Sequence, residues 1–221
     1  MSEQRTNSWF EQRMGRFTAS DIHALMNLKG FGEVGMKLIR KKAQEIVFGR
    51  DESWNVNTWD MRRGIEQEEV AFYLFKEMKE LDFIDVEKAS FFPLGENSGA
   101  SPDGLVGLDA VLEIKCPRPE KFFEVVELGI EGIEKKYIYQ MQLQMKATNS
   151  VKAHFFNYVE WNGRPLTHEV IVPYDESIVK VILKRIDEAV KERDNIIKEL
   201  INNCQFKHLL TPTKQNKHEQ E

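Results

Sequence analysis

The run Ser101-Pro102-Asp103-Gly104, followed closely by Glu113-Ile114-Lys115, gathers two carboxylates and an ammonium in one short stretch of the 221-residue chain. Residues two apart on a strand face the same side, so Glu113 and Lys115 project together while Ile114 points into the core. Asp103 stands just before the preceding strand and folds back beside Glu113. Two carboxylates and the Ile114 carbonyl are hard oxygen donors, which suit magnesium or manganese. A lysine beside such an ion orients a water and stabilises its deprotonated form. The set fits metal-assisted hydrolysis of a phosphodiester. An Asp-Gly turn or a Glu-x-Lys strand on its own is ordinary turn chemistry or a solvated strand face. The two together, at this separation, carry the reading.

A third acid belongs upstream. Helical spacing of Ala71, Leu74, Phe75 and Met78 predicts a long helix over 58–79, and Glu66, Glu68 and Glu69 cluster on it after Arg62, Arg63 and Gly64. One of the three glutamates faces the metal, and spacing alone does not say which.

The elements that must position these groups follow from the pattern around them. Asn7 or Ser8 caps a helix over 9–14, and Ser20 caps a second over 21–26. Gly30, Gly32 and Gly35 mark a mobile loop before a helix at 36–48, and 50–57 reads as irregular. Alternation and aromatics predict a strand at 83–92, then a hairpin of 105–107 and 111–116. Helices follow at 120–128 and 131–146. Strands at 151–160 and 166–172 flank an Asn162-Gly163 turn, a strong hairpin signal, and 177–201 is a long amphipathic helix. The sum is an α/β or α+β fold, a mixed sheet flanked by helices, in one domain over 1–204 with a polar, flexible tail at 205–221.

Composition narrows the class without naming it. Lysine and arginine total 31 against 36 acidic residues, a net charge of −5, which argues against a protein that coats nucleic acid through bulk charge. Carboxylates that hold metal subtract from that total, so a local basic cleft is compatible with it. No apolar run spans a bilayer and the start lacks the order of a signal peptide, so a cytoplasmic protein without membrane contact is expected. Two cysteines, Cys116 and Cys204, are too few for a four-cysteine metal site and read as small buried hydrophobes. The five histidines show no ligand spacing, and no phosphate loop of the ATPase type is present. Trp54, Trp59 and Trp161 read as packing residues; Arg40-Lys41-Lys42 and Lys135-Lys136 read equally as a phosphate path or a solvated face.

Pro-Asp followed by Glu-x-Lys is the signature of the PD-(D/E)xK nuclease superfamily, and more than that pair matches. From about residue 9 to residue 172 the chain resembles the phage lambda exonuclease and YqaJ-like viral recombinase family. The matching residues are Trp9 with Arg13, Thr18-Ala19-Ser20, Gly64 with Glu68, Ser101-Pro102-Asp103-Gly104, Glu113-Ile114-Lys115-Cys116-Pro117, and Tyr137 with Gln140 and Gln142. The resemblance implies that Asp103, Glu113 and the Ile114 carbonyl ligate the metal, that Glu68 supports a second ion or its water, and that Lys115 activates the attacking water. Gln140 would position the substrate or that lysine, with Tyr137 close by. Arg13, Ser20 and Ser101 would hold the 5′-phosphate of the digested strand, roles that a guanidinium fork and two hydroxyls suit chemically. Also implied are a restriction-endonuclease-like core and a Mg²⁺ cofactor for which Mn²⁺ substitutes. So are 5′ to 3′ digestion of one strand from double-stranded DNA ends, a ring-shaped homotrimer, and a single-strand annealing protein as partner in recombination. Residues 29–57 and 205–221 match no motif of that family. Two rival readings stand beside it: a site-specific or structure-specific endonuclease on the same scaffold, and a non-catalytic DNA-binding subunit.

Overall fold

The computed structural model describes residues 6–49 and 59–204. It comprises α1 (Asn7–Arg13), β1 (Phe17–Thr18), a 3₁₀ segment (Ala19–Leu25), α2 (Gly32–Phe48), α3 (Trp59–Glu80), β2 (Val86–Lys88), β3 (Phe92–Leu94), β4 (Ser98–Ala100), β5 (Gly104–Val106), β6 (Ala110–Lys115), α4 (Pro119–Leu128), a second 3₁₀ segment (Gly129–Gly132), α5 (Lys135–Thr148), β7 (Lys152–Trp161), β8 (Arg164–Pro173) and α6 (Glu176–Asn203). The main sheet runs β2-β5-β6-β7-β8. Its pairs are antiparallel except β6 with β7, which are parallel and joined by the crossover through α4 and α5. A smaller sheet, β1-β4-β3, lies beside it.

Both faces of the main sheet are buried at its central strands β6 and β7, which sort their residues by parity. Leu112 and Ile114 point toward α3, where they pack with Phe72, Phe75 and Phe156. Val111 points the other way, among Met141 and Met145 of α5, Val125 of α4 and Phe155 of β7. Glu113 and Lys115 share the parity of Val111 and so face α5, as strand geometry requires. Behind α5, Leu143 joins a third apolar cluster with Phe17, Ile22, Leu25 and Ile39 and with Ile182, Ile186 and Ala189 of α6. Helix α5 is therefore packed on two sides, which fixes the side chains it sends to the sheet. Each large apolar side chain so buried contributes about 1.5–3 kcal/mol.

Several local expectations are corrected. The first helix starts two residues earlier than expected, at Asn7: Thr6 is the cap in place of Asn7 or Ser8, its side chain accepting from the Trp9 N–H. Ser20 caps nothing, because it lies inside the 3₁₀ segment, whose preceding residue Thr18 makes no capping bond either. The glycines before α2 do not form a loop throughout, since α2 already begins at Gly32. Gly35 is helical and buried because a Cβ there would stand 2.7 Å from the Ala24 carbonyl oxygen; it lets α2 close on the 3₁₀ segment. The strand expected at 83–92 is two strands in different sheets, β2 and β3, separated by residues that pair with neither. Strands β1 and β4 carried no period to read: they are two and three residues long and pair across the chain, Phe17 with Ser98. The helix expected at 131–146 is shorter at its start, its first turn being the 3₁₀ segment Gly129–Gly132. Both cysteines are half-buried rather than buried, and neither forms a disulfide. Residues 50–57 and the tail 205–221 lie outside the described residues.

Candidate active site

The β5–β6 hairpin builds the centre of the site. The register that pairs Gly104 with Leu112 sets Asp103 opposite Glu113. Asp103 continues the ladder with its own N–H, donated to the Leu112 carbonyl at 2.9 Å. Its carboxylate oxygen Oδ2 then accepts the Ile114 N–H at 2.7 Å. Gly104 follows because a Cβ there would lie 2.9 Å from the Glu87 carbonyl oxygen and 3.1 Å from the Phe72 ring. The Asp-Gly pair thus serves the close approach of β2 and α3 as well as the hairpin.

Glu113 is 1% exposed and engaged on both oxygens. Oε1 accepts from Lys115 Nζ and from Gln140 Nε2 at 2.6 Å. Oε2 accepts from Gln144 Nε2 at 2.5 Å. Lys115 also donates to the Ile114 carbonyl at 3.1 Å and sits 5.0 Å from the centre of the Tyr137 ring, a cation–π distance. Burial disfavours the Lys115 ammonium, but the charges of Glu113 and Asp103 outweigh it and hold its pKa above the ordinary lysine value. Burial first, then the charge of Glu113, with Glu68 adding, hold the Asp103 carboxyl well above its usual range against the pull of Lys115. Acidic groups in this condition gain from a nearby cation.

Glu68 is selected from its cluster by the fold. Glu66 and Glu69 are exposed, and Glu69 pairs with Lys88 at 3.4 Å. Glu68 is half-buried, and its charge reaches Asp103. Among the described residues no three acidic, histidine or cysteine side chains converge as one metal-holding group. The oxygen donors that could hold a cation here are Asp103, Glu113 and the Ile114 carbonyl, with Glu68 at the margin. Hard oxygen atoms and surplus negative charge fit Mg²⁺ or Mn²⁺.

Beside this centre a second cluster forms around Arg13. Its Nη1 donates to Ser101 Oγ at 3.1 Å, and its Nη2 to Thr18 Oγ1 at 3.0 Å and Ser20 Oγ at 3.1 Å. The Trp9 ring lies 4.1 Å from the guanidinium carbon, and the Trp9 indole N–H donates to Ser101 Oγ at 2.9 Å. Ser101 thereby receives two donors that cannot accept, so its own proton must point elsewhere. The Thr18 hydroxyl donates to Asp21 Oδ2 at 3.0 Å, so in its 3.3 Å contact with Ser20 Oγ the Ser20 hydroxyl is the donor. Ser101 is two residues from Asp103, so the two clusters adjoin. Arg13, Ser20 and Ser101 are brought together as expected, and Thr18, Trp9 and Asp21 are additions to the set.

Other expected residues divide. Gln140 touches Glu113 rather than Lys115. Gln142 turns away, donating to the Pro173 carbonyl at 2.8 Å and accepting from the Asp175 N–H at 2.8 Å, where it ties α5 to the start of α6. Tyr137 stacks near Lys115 and Lys136. Lys42 belongs to no phosphate path: it is buried and bonded to Glu45 at 3.1 Å. Gln144 carried a signal that sequence reasoning passed over, its position one helical turn after Gln140 on the same face.

A five-stranded mixed sheet, a crossover helix on one face and carboxylates at the β5–β6 hairpin define a PD-(D/E)xK nuclease-type core. A sequence model of the YqaJ-like viral recombinase domain matches residues 8–150, and the chain belongs to that family. Its fold is similar to that of LHK-Exo in complex with dAMP, with a TM-score of 0.78 at 25% identity over 89% of this chain and 97% of that one. A second structure, of the alkaline exonuclease LHK-Exo from Laribacter hongkongensis, matches at 0.75 with the same identity and coverage. A phage-related exonuclease from Haemophilus somnus 129PT shares the fold at 0.67 and 18% identity, over 84% of this chain and 96% of that one. No curated protein sequence matches. Among the described residues no helix is long and apolar enough to cross a membrane.

Proposed function

We propose that this protein is a Mg²⁺-dependent exonuclease that digests one strand of linear double-stranded DNA from its 5′ end. One observation carries the reading: the Asp103–Glu113–Lys115 centre adjoins a cluster in which the Arg13 guanidinium gathers the hydroxyls of Ser101, Thr18 and Ser20. The first can cut a phosphodiester and the second can grip a terminal phosphate one unit away. The likeness to alkaline exonucleases at 25% identity over nearly the whole length supports it.

Asp103, Glu113 and the Ile114 carbonyl would hold the ion, with Glu68 supporting a second ion or its water. When bound, the metal supplies charge neutralisation at the phosphoryl oxygens and a water of lowered pKa. Lys115 has N–H groups directed at Glu113 Oε1 and Ile114 O, and as a donor it orients the attacking water and balances charge developing there. Gln140 holds Glu113 still. Tyr137 lies along Lys115 and keeps that side chain extended across the site. Arg13, Ser101 and Ser20 donate to the 5′-phosphate, which places the next phosphodiester at the carboxylates. Gripping each newly made 5′-phosphate would keep the enzyme on its track. Family membership further supports a ring-shaped homotrimer around DNA and a single-strand annealing protein as partner in phage-type recombination.

End-labelled linear duplex and covalently closed circular duplex, each incubated with Mg²⁺, test the reading. Release of mononucleotides from the linear form alone is expected. Nicking or cutting of the circle would favour an endonuclease on the same scaffold, and no cleavage of either would favour a non-catalytic DNA-binding subunit.

A further inference from the structure

We propose that Gln144 is a positioning residue that sets the plane of the Glu113 carboxylate and, through it, the affinity of the site for its divalent cation. The inference rests on the reading of Glu113 as a metal ligand. Lys115 and Gln140 both donate to Oε1, which fixes that one oxygen. The terminal torsion of a glutamate is broad, so two donors on one oxygen leave the other free to swing. Gln144 reaches Oε2 from one turn further along α5 and removes that freedom. An oxygen that accepts one hydrogen bond retains lone-pair capacity, and Oε2 is the oxygen with fewer donors. Held at both oxygens, the carboxylate has its plane fixed beside the Ile114 carbonyl.

The opposite end of the same amide supports the assignment. Gln144 is 0% exposed, and its Oε1 has no hydrogen-bond partner among the described residues. Only the NH₂ group can donate to a carboxylate, so Glu113 dictates the orientation and leaves the carbonyl unpaired. An unpaired buried carbonyl is unfavourable for folding. Apolar residues fill the neighbouring positions Met141, Leu143 and Met145, so a core demand alone would be met by another of them. A neutral donor also orients Glu113 without cancelling the charge that attracts the cation, as a lysine or arginine there would.

The test replaces Gln144 by Met and, separately, by Leu, both good helix formers of similar size. Free Mn²⁺ is measured by electron paramagnetic resonance in titrations of the full chain without DNA, alongside thermal unfolding. Both variants are expected to fold and to bind Mn²⁺ roughly 10–100-fold more weakly, the usual effect of losing an outer partner of a ligand. In cleavage assays the metal concentration for half-maximal rate should rise more than the maximal rate falls. Mn²⁺ binding within about twofold of wild type, or loss of the folded state in both variants, would overturn the role, the second because it would make Gln144 a structural residue. Absence of Mn²⁺ binding in the wild-type protein would instead refute the metal-site reading beneath it.

Discussion

Arg13→Ala should separate the proposed gripping of a DNA end from the cutting of the strand. The guanidinium donates to Ser101, Thr18 and Ser20 and lies against the Trp9 ring, so its loss removes a cation and frees three hydroxyls that it now orients. A hydrogen bond to a charged group contributes about 1.5–3 kcal/mol, and about 1.4 kcal/mol is a factor of ten. Arg13 is half-buried and Ser20 exposed, so solvent and salt weaken the pairing and the lower end of that range applies. A duplex with a 5′-phosphate should therefore be digested on the order of tenfold faster than its 5′-hydroxyl twin in the wild-type protein. In Arg13→Ala the two rates should fall to within roughly threefold of each other, almost all of the change being on the phosphorylated duplex. Ser101→Ala, which removes one outward proton and strands the Trp9 indole N–H, should show a smaller effect of the same kind. The assay follows label release from two linear duplexes that differ only at the 5′ end, with a Mn²⁺ titration of each variant as control. Arg13 supplies no ligand, so that titration should not move. Equal rates on the two ends in the wild type, or an unchanged ratio in Arg13→Ala, would refute the phosphate pocket and with it the basis for 5′ to 3′ polarity.

Further outcomes are open to direct measurement. Cleavage should require Mg²⁺ or Mn²⁺ and cease in excess chelator, whereas Ca²⁺ should bind without supporting turnover because its looser coordination misplaces the water; digestion that persists in chelator counts against the site. Asp103→Ala, Glu113→Ala and Lys115→Ala should each abolish cleavage while the protein still binds DNA, and near-normal rates in Glu113→Ala would show the centre to be misassigned. Gly35→Ala should cost about 1–3 kcal/mol, because its methyl would press on the Ala24 carbonyl; in calorimetry that is a fall of several degrees in Tm, and an unchanged Tm would mean that α2 is not so closely packed. Burial raises the Glu169 carboxyl, but its bonds to His154 and Lys79 prevail and hold it below its ordinary value. A lowered folded-state value adds stability above the ordinary range, and that stability is lost as pH falls through the lowered value. Glu169→Gln should thus lower Tm at neutral pH and flatten its decline in acid, as followed by thermal melts across pH.

How far the sequence disclosed the molecule depended on distance along the chain. Glu113 and Lys115 share a face because they are two apart on one strand, and the β5–β6 hairpin brings Asp103 alongside within a few residues. Both relations are local, and both hold. The Asn162-Gly163 turn between β7 and β8 was legible for the same reason. By contrast β1 and β4 exist only because Phe17 meets Ser98, and two- or three-residue strands have no alternation to read. The Thr6-Asn7-Ser8 run offers three cap side chains in a row, so the choice among them falls to the packing of α1. The three glutamates of α3 are adjacent in sequence, and only the docking of that helix on the sheet turns Glu68 inward. Ser101 and Arg13 are 88 residues apart, and they were joined by resemblance to a family rather than by any pattern in this chain.

The two clusters of the site differ in how they are supported, and the difference bears on what each can do. The carboxylate centre stands on β6 and α5, elements buried on both sides, and its acids are held by side-chain amides, a backbone N–H and the Lys115 ammonium. Such a frame keeps metal ligands at fixed separation, which a cation of strict geometry demands. The Arg13 cluster stands on a short helix and a 3₁₀ segment, with Ser20 at the surface and Asp21 polarising it from behind through Thr18. It is built of one cation and hydroxyls, with no buried carboxylate among its direct donors. A phosphate that must be taken up and released with each nucleotide needs this weaker, partly wetted grip, because a fully desolvated one would hold the product. Under the proposed exonuclease reading, rigid carboxylates at the point of cleavage and a looser donor set at the end of the strand would be the division of labour that repeated end-first digestion requires.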